Sequence, residues 1–254
     1  MKIILLAGKG QSTLFMYNAI NEIFPIEKVI IEDKISSKKL VQIRIKKLGY
    51  FKVINQLLFQ ITISNFLSFA SKKRIKFLKE YYNLSEKSIE EEKLNYVSSV
   101  NDSECISLLI DLNPDVIIVN GTRIISSKVL ESTSALFINT HAGITPQYRG
   151  VHGAYWALVK GDEENCGVTI HKVDKGIDTG DLIKQAKIEI SKQDNFATYP
   201  LHQYGVAIDL MKQTLIDYYN NKLKTFKKEN VESNLYYHPT FFGYLFLRIF
   251  KSVK

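Results

Sequence analysis

The side chains best suited to chemistry gather between Asn120 and Asp181. Asn139 and His141 directly follow the apolar run Ala135–Ile138. Residues just past the carboxyl end of a parallel strand line the crevice where open α/β sheets bind ligands. Their i, i+2 spacing turns both toward one side of an extended chain. There an amide donates to a developing oxyanion and an imidazole moves a proton. Downstream, DKGIDTGD sets Asp174, Asp178 and Asp181 among Gly176 and Gly180, a loop able to hold a carboxylate against the histidine. The plainer reading stays open: the aspartates stabilise turns, and His141 is a hydrogen-bonded strand-end histidine. Cys105 and Cys166 stand far apart, without a CxxC or a His-Cys cluster, so neither a metal site nor a disulfide framework is expected.

A second candidate is GKGQST, after the first apolar run. Glycines leading into a helix N-terminus expose backbone N–H groups to anions. Gly8, Lys9, Gly10 and Gln11 are thus candidates for binding a phosphate, the alternative being a tight strand-to-helix turn. The pattern lacks the spacing of a P-loop. It also has Thr13 where a dinucleotide fingerprint has its third glycine. Glu32 and Asp33 nonetheless lie where a ribose-binding acid would, which keeps an NAD(P)-dependent enzyme open. Arg149 either meets a phosphate or pairs with a carboxylate.

These residues need an α/β scaffold. Strands are expected at Lys2–Ala7, Lys28–Ile31, Tyr96–Val100, Asp115–Val119, Ala135–Ile138, Val168–Val173 and Leu182–Ile190. Helices are expected at Ser12–Phe24 and Asp102–Leu112, with a long one at Phe196–Asn221 whose start contains Pro200. Short buried runs alternating with helices predict a doubly wound, mostly parallel sheet. The expected division is a catalytic core over 1–205, with a helical basic insertion at about 34–82, and a C-terminal helical extension and aromatic tail over 206–254.

The chain has 254 residues and a net charge of +8, unevenly spread. Twelve Lys and Arg, and no Asp or Glu, fall between Lys34 and Lys79; the remainder carries 22 basic against 26 acidic residues, a net of −4. Val53–Ala70 is 18 residues without a charge, but Asn55, Gln56, Gln60, Thr62, Ser64, Asn65 and Ser68 make it a core or interfacial helix rather than a span. The N-terminal apolar run is too short for a signal peptide, so a cytoplasmic protein is expected.

NTHAGITPQYRG followed by HGAYWALVKGDEENCGVTIHKVDKGIDTGDLI resembles the formyltransferase family that uses 10-formyltetrahydrofolate. Asn139, His141, Pro146, Gly167, Thr169, His171 and Asp178 match its motifs in order and spacing. NGTRIIS, Asn120 to Ser126, resembles its folate-contacting segment, and GKGQSTLF the phosphate loop of the glycinamide ribonucleotide branch. The chain departs from the family's S-L-L-P after N-x-H, reading Ala142-Gly143-Ile144-Thr145-Pro146. The resemblance implies a Rossmann-like core in which an acceptor amine attacks the formyl carbon. Asn139 and His141 would stabilise the tetrahedral oxyanion, while Asp178 orients His141 and takes or relays the amine's proton. It further implies a folate pocket at Asn120, Gly121, Arg123, Ile124, Ile125, Val173, Asp174 and Gly176, with no metal. His171 reads as structural.

The implied acceptor is a small phosphorylated amine, first a nucleotide-linked amino sugar of surface polysaccharide (O-antigen) synthesis, second glycinamide ribonucleotide. Nucleic acid is not expected, because the residues after Gly205 read as helix and tail rather than the sizeable C-terminal β-domain of the family's transfer-RNA enzymes. A non-catalytic folate binder is the reading from another class. The basic block reads as a solvated helical face, an attractor for a phosphorylated acceptor, or a peripheral contact with an anionic membrane. The aromatic tail offers a surface for a partner such as a second copy in a homodimer.

Overall fold

A computed structural model describes residues 1–254. Ile, Leu and Val runs build the centre: β1 (Ile3–Gly8) and β4 (Val116–Asn120) lie side by side and buried. Continuous apolar runs of this kind suit strands covered on both faces. β2 (Ile26–Glu32) and β3 (Leu94–Val97) extend the sheet on one side. β5 (Leu136–His141), β7 (Gly167–Lys172) and β8 (Leu182–Lys187) extend it on the other, giving the order β3-β2-β1-β4-β5-β7-β8. β1 to β5 run parallel, and β7 runs antiparallel to both its neighbours, β5 and β8. The two-residue strands β6 (Arg149–Gly150) and β9 (Leu235–Tyr236) form a separate parallel pair.

The helices cover both faces. α6 (Ser103–Leu112) and the short α7 (Ser127–Leu130) enclose Ile4, Leu6, Ile117, Val119 and Phe137 on one side. On the other lie α1 (Gln11–Asn21), α8 (Gly153–Lys160) and α9 (Tyr199–Tyr219), whose Phe15, Ala157 and Met211 belong to the larger core. This is the expected doubly wound, mostly parallel α/β fold. The strand order reverses between β1 and β4, and ligands bind outside the carboxyl ends of strands at such a switch point. Gly8 makes that junction tight: a Cβ there would lie 2.4 Å from the carbonyl oxygen of Gly121.

The insertion is helical: α2 (Ser37–Leu48), α3 (Tyr50–Phe59), a π-helical turn over Gln60–Ser64, α4 (Asn65–Ala70) and α5 (Lys72–Tyr81). From Tyr50 to Ala70 the helix is continuous, long and apolar enough by composition to cross a membrane. Three features differ from the sequence expectations. β3 lies at 94–97 rather than 96–100, because Val100 packs in the core just beyond the strand. The boundary expected at residue 205 falls inside α9, which is buried on both sides of that point. The aromatic tail is an ordered helix, α10 (Phe241–Lys251), whose N-cap Thr240 accepts a hydrogen bond from the Gly243 N–H.

Candidate active site

β5 delivers Asn139 and His141 to the carboxyl edge of the sheet, where its pairing with β7 sets His171 directly opposite Asn139. The network fixes the His171 tautomer: Nδ1–H donates to the Lys172 carbonyl at 2.7 Å, leaving Nε2 to accept from Asn139 Nδ2 at 3.2 Å. Asn139 thereby keeps a second amide hydrogen. His141 is buried, and its Nε2–H donates to the Tyr148 carbonyl at 2.7 Å. Its Nδ1 faces Asp178 Oδ2 at 3.2 Å; a proton on Nδ1 makes that contact a charge-assisted bond.

Asp178 is presented by the loop between β7 and β8. Its backbone takes the left-handed conformation, with φ +53°, turning the carboxylate inward. Oδ2 accepts the Gly150 N–H at 3.1 Å, and Oδ1 lies 3.7 Å from His171 Nε2. Burial alone would raise this carboxyl, but the hydrogen bond from His141, the charge on His141 and the Gly150 N–H together hold it well below the usual carboxylate range. The loop is braced twice. Arg149 Nη1 donates to the Ile177 carbonyl at 3.0 Å, and Asp174 accepts from the Gly176 N–H and the Thr179 hydroxyl. Thr169 fixes the turn after His141 by donating to the Gly143 carbonyl and accepting from the Thr145 N–H.

These groups border a cavity of about 500 Å³. Asn139, His141 and Asp178 line it together with Gly121, Arg123, Ile124, Ile125, Val173, Asp174 and Gly176. Val119, Ile124, Ile125 and Val173 give it apolar walls between polar groups, the usual composition of a small-molecule site. Asn120 points elsewhere: its amide donates to Ser12 and Thr13, tying β4 to α1. Gly8, Lys9, Gly10 and Gln11 form the neighbouring β1–α1 turn and Arg149 stands behind the Asp178 loop, all outside the cavity lining.

Glu32, the candidate ribose acid, is already engaged. Its carboxylate pairs with the Arg123 guanidinium at 2.8 Å and accepts the backbone N–H groups of Arg123 and Val100. Asp33, the other acid at the end of β2, is exposed and its carboxylate makes no ion pair, so the dinucleotide reading loses Glu32 and retains only Asp33 as a ribose acid.

Other lining residues carried no sequence signal for this role. His152 lies at the N-terminus of α8, and Pro200, Gln203 and Tyr204 come from the first turns of α9. His171, read from sequence as structural, touches both Asn139 and Asp178; its alternation with Thr169 along β7 was the available clue.

A model of the formyl transferase family matches residues 63–202, more than half of the chain. The chain belongs to the formyl transferase family. It is 31% identical over 134 residues to the methionyl-tRNA formyltransferase of Caldanaerobacter subterraneus subsp. tengcongensis, a match covering 52% of this chain and 43% of that protein. The chain thus spans less than half the length of the relatives it matches in sequence. Among solved structures, phosphoribosylglycinamide formyltransferase from Streptococcus pneumoniae TIGR4 shares the fold with a TM-score of 0.55 at 20% identity, over 86% of this chain and 99% of that one. A sugar 3N-formyl transferase crystallised with dTDP and 5-N-formyl-tetrahydrofolate gives 0.54 at 18% identity, over 93% of this chain and 69% of that one.

Proposed function

We propose that this formyl transferase family member moves a formyl group from 10-formyltetrahydrofolate to the primary amine of a nucleotide-linked amino sugar, in the synthesis of a surface polysaccharide. The observation that carries the transfer is the convergence of Asn139, His141 and Asp178 on the wall of one cavity. The apolar Ile124, Ile125 and Val173, with backbone groups of the Asp174–Asp178 loop beside them, suit a flat heteroaromatic ring with polar edges. The folate co-substrate supplies the activated formyl group.

The chain's own residues do the rest. Asn139, held by His171, aims its second amide hydrogen at the oxygen that gains charge. Asp178 keeps His141 oriented through Nδ1 and stabilises positive charge on the ring. Asp178, on the cavity wall beside His141, is also placed to relay the proton released by the attacking amine, directly or through a water. Burial strengthens each of these interactions relative to water.

The sugar assignment draws support from the phosphate-loop glycines beside the cavity and from the neighbour crystallised with dTDP, which aligns with 93% of this chain. The testing assay follows tetrahydrofolate release from 10-formyltetrahydrofolate with dTDP- and UDP-linked amino sugars, glycinamide ribonucleotide and methionyl-tRNA as acceptors. Turnover is expected with a nucleotide sugar. Turnover with glycinamide ribonucleotide or methionyl-tRNA alone would reject the sugar, and none with any acceptor would reject the transfer.

A further inference from the structure

The insertion and the tail together build a surface that the transfer chemistry does not use. The helix from Tyr50 to Ala70 has two sides. Val53, Gln56 and Phe59 are buried, and Ile63 and Leu67 pack against the main core. The opposite side carries Phe51 (83% exposed), Ile54, Leu58, Ile61 (69%), Phe66 (68%) and Phe69 (67%). α10 repeats the arrangement. Tyr244 turns inward onto Phe59, with ring centroids 5.1 Å apart, while Phe242, Leu245, Phe246, Ile249 and Phe250 face solvent. The two helices pack on each other through that contact, so their outward sides border one another.

Exposed apolar area on this scale marks an interaction site, and the surrounding charge identifies the partner. Lys38, Lys39, Lys46, Lys47, Lys52, Lys72 and Lys73 are exposed and make no salt bridge. No acidic residue occurs from Lys34 to Lys79, and α10 adds Arg248 and Lys251. A second copy would bring the same cations face to face, at a repulsive cost. An anionic bilayer supplies what both components need: headgroup charge for the lysines and an acyl boundary for the Phe and Ile side chains.

We propose that the outward faces of Tyr50–Ala70 and α10 form a docking surface for an anionic lipid bilayer, with both helices lying in the plane of the interface. A spanning arrangement is incompatible with the fold, because Val53, Gln56 and Phe59 hold the helix to the core along one side. Gln56 Nε2 donates to the His238 carbonyl at 2.7 Å, and His238 Nδ1 lies 2.8 Å from Nε2 of the cavity-lining His152. The surface is therefore joined to the cavity wall by a short polar chain.

The test is co-sedimentation of the whole chain with phosphatidylcholine vesicles, with and without phosphatidylglycerol, at low and high salt. The expected result is pelleting with the anionic vesicles at low salt, at least about tenfold weaker with phosphatidylcholine alone, and falling as salt rises. The variant F66S/F69S/F246S/F250S changes only exposed side chains; checked for a wild-type circular dichroism spectrum, it should lose at least about tenfold in vesicle affinity. K72E/K73E provides an independent arm that should weaken binding at low salt and leave the high-salt residue unchanged. The proposal is overturned if the chain ignores anionic vesicles at low salt, or if the quadruple variant binds like wild type. It is equally overturned if the apolar variant abolishes self-association or single-stranded RNA binding in a chain that does not bind vesicles.

Discussion

At the scale of single residues, the site divides its work by hydrogen-bond capacity. His141 spends Nε2–H on the Tyr148 carbonyl, so its link to the reaction runs through Nδ1 and Asp178. Replacing His141 by Asn, or Asp178 by Asn, should therefore cut turnover of the proposed transfer by about 10²–10⁴-fold, read as kcat with the fold checked by circular dichroism. Near-normal kcat in either variant would remove that residue from the chemistry. His171 acts differently, because it holds Asn139 and sits beside Asp178 while its own donor is committed to Lys172. It is a positioning residue. His171→Gln should lower kcat roughly tenfold through misplacement of Asn139, with KM for the folate nearly unchanged. A pure KM effect would instead place His171 in binding.

At the scale of elements, the catalytic carboxylate depends on how the β7–β8 loop closes. Gly180 lets that loop return against β7: a Cβ there would lie 1.8 Å from the Lys172 carbonyl oxygen. Gly180→Ala must push the loop outward and take Asp178 off His141. The expected outcome is a kcat loss of more than about tenfold with a modest fall in Tm, since the segment that must yield to the β7 carbonyl is the loop carrying Gly180 rather than the main core. Wild-type kcat in this variant would show that the loop adapts without moving Asp178. The loop, Asn139, His141 and the strands β1, β4 and β5 were legible in the sequence, because continuous apolar runs and glycine-aspartate clusters are local signals. His152, Gln203 and Tyr204 were not, because a tertiary contact carries them to the cavity: α9 docks its first turns on the sheet edge, and no periodicity encodes where a buried helix ends up. The tail helix was hidden for another reason. Its Thr240 N-cap is a weak local signal, and its inward residue, Tyr244, acquires meaning only against Phe59, Tyr155 and Phe196. Glu32 was legible as an acid at a strand end but not as the partner of Arg123.

At the scale of the whole molecule, the insertion and the tail are integrated with the core rather than appended to it. Arg74 of the insertion forms a two-point ion pair with the buried Asp194, which also meets His202 of α9. A Cβ on Gly205 of the same helix would overlap the Tyr82 ring. The tail closes the circuit through β9, which pairs with β6 beside the cavity, and through His238. This junction has a pH signature. Burial, with His238 nearby, pushes the His152 ring down to about 3; burial, with Arg44 nearby, pushes His238 down to about 4. Both rings are thus neutral in the fold, while the unfolded chain protonates its histidines near 6.5. The unfolded state binds more protons below that value, so this contribution is fully present above about pH 6.5 and is lost as pH falls toward 4. Asp178 and Asp194 are also depressed, but they add to the loss only below the ordinary carboxylate range near 4, leaving a window that belongs to the two histidines. Between pH 7.5 and 5 the pair should remove about 2 to 4 kcal/mol of unfolding free energy, measured by urea denaturation at the two pH values. In the variant His152→Asn/His238→Gln, Asn tolerates the left-handed backbone of residue 152, with φ +60°, and neither new side chain titrates. That variant should start less stable at pH 7.5 and lose less than about 1 kcal/mol on going to pH 5. An unchanged pH dependence in the variant would mean that the acid sensitivity lies elsewhere, and that the tail-to-core junction does not titrate.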